Sequence, residues 1–135
     1  MATPFSFELV SPEKQLVTGE ALDVTVPGTE GYFQVLANHA PLMSTIKPGV
    51  VEVTMSDNSS HKYVVFGGFA DVSPAGCTIL AESATHVDDL NRAELDRRIE
   101  EAREDINDAK DEHAKMRAED YLHQLTTLQG AILPA

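Results

Sequence analysis

Glycine and proline divide this chain into two unlike parts. Residues 1–76 hold six of the seven prolines and seven of the eight glycines, and residues 77–129 hold neither. Both residues break regular structure, so the first part is restricted to short segments separated by turns. The second part is free to sustain long helices. Charge changes at nearly the same place: residues 1–81 carry eight acids and three bases, and residues 82–135 carry fourteen and seven. Two structural units are expected, residues 1–86 and residues 87–135.

The first unit reads as strands. Phe5, Phe7 and Leu9 alternate with Ser6 and Glu8, and Leu22, Val24 and Val26 with Asp23 and Thr25. Val51, Val53 and Met55 alternate with Glu52 and Thr54, and Tyr63 and Val65 with Lys62 and Val64. A period of two places alternate side chains on opposite faces of a strand, so half of each strand can enter a core. Between the runs stand Ser11-Pro12, Pro27-Gly28, Pro48-Gly49, Asp57-Asn58-Ser59-Ser60, Gly67-Gly68 and Pro74-Ala75-Gly76, all read as turns. Val64-Val65-Phe66 and Thr78-Ile79-Leu80-Ala81 are apolar on both faces, which suits a sandwich interior or a covered outer face. The expected fold is a mainly β sandwich or barrel of undetermined strand order.

The second unit reads as an α-helical hairpin. Asn91 followed by Glu94 has the pattern of a capping box, with Asp88 and Asp89 near the positive helix start. Leu95, Ile99, Ala102, Ile106 and Ala109 form one stripe; Ala114, Ala118, Tyr121, Leu125, Leu128 and Ile132 form another. The stripes are out of phase, so one straight helix cannot present both to the same side. A break is therefore expected near Asn107–Glu112, giving two antiparallel helices. Their alanine-rich seam buries little apolar surface, and such a hairpin is expected to lean on another surface and to be mobile in some state.

The net charge of −12 repels phosphate backbones and anionic headgroups, which argues against nucleic-acid binding and direct membrane insertion. No apolar run approaches the ~20 residues a spanning helix needs. Met1-Ala2-Thr3-Pro4-Phe5 lacks the basic and apolar stretches of a signal peptide, and a lone Cys77 fits a reducing compartment. The expectation is an acidic, soluble, intracellular protein. His39, His61, His86, His113 and His123 lack metal-ligand spacing, and Gly67-Gly68 lacks the Lys-Ser/Thr of a phosphate-binding loop. Glu100-Glu101 and Glu104-Asp105 read as a solvated helix face and Cys77 as a strand residue. No metal, cofactor or catalytic residue is assigned.

Three stretches resemble the epsilon subunit of F-type ATP synthase, bacterial type. They are Gly31-Tyr32-Phe33-Gln34-Val35-Leu36-Ala37-Asn38-His39-Ala40-Pro41-Leu42, the Lys-Pro-Gly turn in Ile46-Lys47-Pro48-Gly49-Val50, and the Gly67-Gly68-Phe69 hairpin with Val72 and the strand Thr78–Glu82. The resemblance implies a non-catalytic rotor subunit of the central stalk, bound to the gamma subunit and the c-ring and coupling proton translocation to ATP synthesis. It implies a peripheral position on the cytoplasmic face of the bacterial inner membrane, with the hairpin regulatory and within reach of the alpha and beta subunits. By the same resemblance Glu30, Gly31, Asn38, His39, Ala40, Pro41 and Leu42 would meet the c-ring, and Val64, Phe66 and Phe69 the gamma subunit. Asp89, Arg92 and Ala93 match part of the family's ATP-binding motif. Asp88 occupies its aliphatic position, however, and the second helix offers mainly Lys115 and Arg117 among acids. Little or no ATP binding is therefore expected. An acidic hairpin is also expected to inhibit hydrolysis only weakly, because it would repel an acidic segment of the beta subunit. Two other functions fit the residues without the resemblance: a free-standing adaptor for another intracellular protein, and a small nucleotide-sensing regulator using Asp89 and Arg92.

Overall fold

Alternating segments become strands where the pattern places them. In the computed structural model, which describes residues 3–132, the elements are β1 (Phe5–Val10), β2 (Gln15–Gly28), β3 (Gly31–Val35), β4 (Leu42–Met55), β5 (Ser60–Ser73), β6 (Gly76–Ala81) and β7 (Ala84–His86). A 3-10 turn, Val87–Asp89, precedes α1 (Arg92–Asp108) and α2 (Glu112–Ile132). The chain divides between Val87 and Asp88 into two compact units.

In the first unit the pairing order is β1-β6-β5-β4-β2-β3, and β1 also pairs with β2. The ladder β1-β6-β5-β4-β2 therefore returns to β1 and closes a barrel, which removes long open edges. All neighbours are antiparallel except β1 and β6, which run parallel. Phe5, Phe7, Leu9, Val24, Val26, Val51, Val53, Val65 and Ile79 meet in one buried cluster. Each such side chain contributes about 1.5–3 kcal/mol on leaving water.

Three of the expected turns are strand: Pro27-Gly28 close β2 just before the turn at Thr29-Glu30, and the other two lie deeper in their strands. Pro48-Gly49 and Gly67-Gly68 lie inside β4 and β5, strands of 14 residues each. Residues 63–65 of β5 pair with β7, and residues 68–73 pair with β6. The two glycines between these halves have φ of 120° and 139°, and let one strand turn a barrel corner without ending. Leu22 also departs from the alternation. The β2–β4 register shifts between Ala21 and Asp23, so Ala21 enters the core while Leu22 is half-buried. The two-faced reading of Thr78–Ala81 holds for Ile79 and Ala81 but not for Leu80, which is 53% exposed.

The second unit has its break where the stripes change phase. Ala109, Lys110 and Asp111 separate the helices. Asn91 caps α1 by accepting the Ala93 N–H at 2.8 Å, and Asp111 caps α2 by accepting the Ala114 N–H at 2.7 Å. Glu94 turns its carboxylate to Arg97 at 2.6 Å and Arg98 at 3.2 Å. Leu95, Ile99 and Ala102 of α1 and Leu125 and Leu128 of α2 are buried. Gln129 donates to Asp96 at 3.2 Å, tying the end of α2 to the start of α1, so the pair is antiparallel. The side chain of Ile132, last in the second stripe, lies outside the described residues.

Candidate functional site

The turn between β2 and β3 carries Glu30 and Gly31. Gly28 faces Gly31 across it, and Glu30 at its tip is exposed. The Thr29 N–H donates to the Thr45 carbonyl at 3.0 Å, and Gly28 pairs with Ile46. These bonds fasten the turn to the beginning of β4. Glu30 and Gly31 thereby line one shallow depression with Tyr32, Leu42, Met43 and Thr45. Leu42 is 38% exposed, Tyr32 53% and Met43 65%. Glu30, Gly31 and Leu42 are thus brought together from separate stretches of sequence. Asn38, His39, Ala40 and Pro41 form the connection from β3 to β4. Asn38 takes the left-handed φ of 63°, which asparagine tolerates better than most residues. His39 Nδ1 donates to the Ala40 carbonyl at 2.6 Å, which shapes the connection locally.

A second surface crosses the outside of the barrel. Register pairs Val10 with Leu80, Leu80 with Phe69, and Phe69 with Thr45, forming a row over β1, β6, β5 and β4. The next row is Glu8, Thr78, Asp71 and Met43. Directly opposed side chains in such rows stand about 5 Å apart. Leu80 and Phe69 (39% exposed) therefore stand side by side as an apolar strip open to solvent, with Met43 diagonal to Phe69 beside Asp71. Of the three residues expected to meet the gamma subunit, only Phe69 is open. Val64 and Phe66 are buried, at 0% and 3% exposure. Leu80 was not legible as a surface residue. Its signal was an apolar run with two greasy faces, which does not say which face stays bare.

The candidate nucleotide-binding residues stand at the start of the helical unit. Asp89 ends the 3-10 turn, Arg92 opens α1, and both are exposed. The Ala93 N–H, a natural anion donor at a helix start, is already held by Asn91. Asp88 and Asp89 add negative charge where a triphosphate would sit.

Among the described residues no group of three or more His, Cys, Asp or Glu side chains is placed to hold a metal. Cys77 is buried, and burial, reinforced by Asp71, pushes its thiol up to about 12. It stays protonated and unreactive near neutrality. No described helix is long and apolar enough to cross a membrane. The surfaces available to this chain are suited to holding partners.

Comparison with known proteins agrees with that geometry. The family model described as ATP synthase, Delta/Epsilon chain, beta-sandwich domain matches residues 4–87. A relative named ATP synthase epsilon chain from Mesorhizobium japonicum is 60% identical over 135 residues, covering 100% of both chains. Another of that name, from Brucella anthropi, is 57% identical over the same full length. Among solved structures, a chain of the Euglena gracilis mitochondrial ATP synthase (OSCP/F1/c-ring, rotational state 1) has a TM-score of 0.74 and 25% identity. It covers 96% of this chain and 81% of that one. A chain of the Tetrahymena thermophila mitochondrial ATP synthase central stalk/c-ring has a TM-score of 0.64, covering 93% and 96%. At 11% identity that likeness is one of fold alone.

Proposed function

The chain belongs to the family of ATP synthase epsilon chains, and from that membership we propose that it is a non-catalytic rotor subunit of the central stalk of a proton-translocating ATP synthase. It would form part of a membrane-bound complex, peripheral on the cytoplasmic face of a bacterial inner membrane. A rotor subunit grips two partners at once and passes torque between them with little deformation. A closed, densely packed barrel has that stiffness.

The apolar strip of Leu80 and Phe69 is the observation that carries the gamma-binding part of this reading, because exposed apolar strips of this kind mark protein contacts. Its burial against a partner supplies affinity, about 1.5–3 kcal/mol for each large side chain covered. The turn at Glu30-Gly31, with Asn38–Leu42 nearby in sequence, is proposed as the contact to the c-ring, where a carboxylate and small loop residues set register. The helical hairpin is proposed as a regulatory element with weak effect, and Asp89, Arg92 and Ala93 as a site that takes ATP poorly.

Leu80→Glu tests the gamma contact. Leu80 is already open, so the variant is expected to keep its thermal midpoint within a few degrees. Its co-purification with the gamma subunit is expected to fall at least tenfold, as measured by pull-down of the assembled stalk. Undiminished gamma binding by a folded Leu80→Glu chain would remove the strip from the interface. For the ring contact, a Glu30→Cys chain in the assembled enzyme is expected to cross-link to a cysteine in the ring's polar loop.

A further inference from the structure

The stretch that resembles a Lys-Pro-Gly turn is a bulge within β4, and one side chain from another strand closes it. Thr25 pairs with Glu52 and Gly28 pairs with Ile46, so residues 47–51 of β4 oppose only Val26 and Pro27 of β2. Pro27 has no N–H to offer a ladder, and β4 arches away from β2 at that point. An arch of this kind leaves backbone groups to be satisfied by something other than the neighbouring strand. Here the Val50 N–H donates to the Tyr32 hydroxyl at 3.1 Å.

Tyr32 lies on β3, one residue past the Glu30-Gly31 turn, and its register partner on β2 is Pro27. Both pack onto Gly49, where a Cβ would fall 2.6 Å from Pro27 Cβ and 2.7 Å from the Tyr32 hydroxyl oxygen. Glycine at 49 is therefore what allows the hydroxyl to reach the bulge. Lys47 places its Nζ 5.7 Å from the centre of the Tyr32 ring, adding a cation–π contact from the same bulge. An exposed aromatic side chain is thus held at both its ring and its hydroxyl, although it is 53% open to solvent.

We propose that Tyr32 is a positioning residue for the Glu30-Gly31 turn: its hydroxyl ties β3 to the β4 bulge and so fixes where the turn presents its carboxylate. The consequence for the c-ring rests on the rotor reading above, whereas the tie within this chain does not.

Tyr32→Phe in the full chain keeps the ring and removes only the hydroxyl. Expected are an unchanged thermal midpoint, Val50 amide exchange faster by about three- to tenfold, and displaced amide resonances at Glu30 and Gly31. In the assembled enzyme, the Glu30→Cys cross-link to the ring is expected to lose yield several-fold when Tyr32→Phe is added. Unchanged Val50 exchange and unmoved Glu30 and Gly31 resonances would overturn the proposal, whatever the cross-link shows. If those resonances move but the cross-link yield does not, positioning toward the ring is overturned. Failure of Glu30→Cys to cross-link with Tyr32 intact sinks the ring contact instead, and the resonances of the free chain still decide the role of Tyr32. Gly49→Ala offers an independent check, since its methyl group displaces the hydroxyl and should move the same resonances while Tyr32 stays in the sequence.

Discussion

Gly68 combines a φ of 139° with a close approach from β6, where a Cβ would lie 2.8 Å from Ala81 Cα and would also meet the Leu80 carbonyl oxygen. Both contacts are backbone, so nothing can swing aside. Gly68→Ala is expected to destabilise the barrel by about 2–4 kcal/mol, read as a lower urea midpoint with an unchanged slope. A cysteine gives the complementary case. Cys77 is 2% exposed and its thiol is raised to about 12, so at pH 8 the thiolate is scarce and shielded. Ellman's reagent is expected to label it at least a hundredfold more slowly in the folded chain than in guanidinium; rapid labelling of the folded chain would refute its burial. The sequence already marked Cys77 as a strand residue. It did not mark Gly68 as a corner, because a Gly-Gly pair reads equally as a hairpin turn and as a bend in one long strand.

The helices show which interactions hold an element. Arg97 bridges Glu94 at 2.6 Å and Glu101 at 2.7 Å, and its hydrogen bond holds the Glu94 carboxyl below the usual carboxylate range. The Arg97 side chain is 58% exposed, so water screens these pairs and they add little to stability. Leu125 is fully buried, and Leu125→Ala is expected to cost about 2–5 kcal/mol. Arg97→Ala should cost much less, because its partners are met in water. Circular dichroism melts of both variants check the order, and a larger loss from Arg97→Ala would contradict it. Helix positions and the break between them were legible because the stripes change phase near Ala109. The reciprocal arm of the capping box was not, since Glu94 has a choice of donors and turns to the arginines.

For the molecule as a whole, the chain divides between Val87 and Asp88 into two compact units. The core cluster of the first unit is built from described residues between Phe5 and Ala84. A chain ending at residue 87 is expected to retain its sheet signal and its gamma binding. In the assembled enzyme, removal of residues 88–135 is expected to change ATP hydrolysis less than about twofold, in keeping with a weakly regulatory, acidic hairpin. A steep rise in hydrolysis on truncation would show that the hairpin restrains the head despite its charge.

Period-two and period-3.6 patterns, with glycine and proline confined to one part, were enough to define a β unit followed by two helices. They act through near neighbours along the chain, where the face of a strand or helix is set. They carry nothing about which strand lies beside which. The closure of β1 onto both β2 and β6, and the bulge that brings Tyr32 to Val50, join residues far apart in sequence. So does the row that leaves Leu80 and Phe69 bare. Whether an apolar face is buried or left for a partner depends on what else packs beside it, and only the folded chain supplies that.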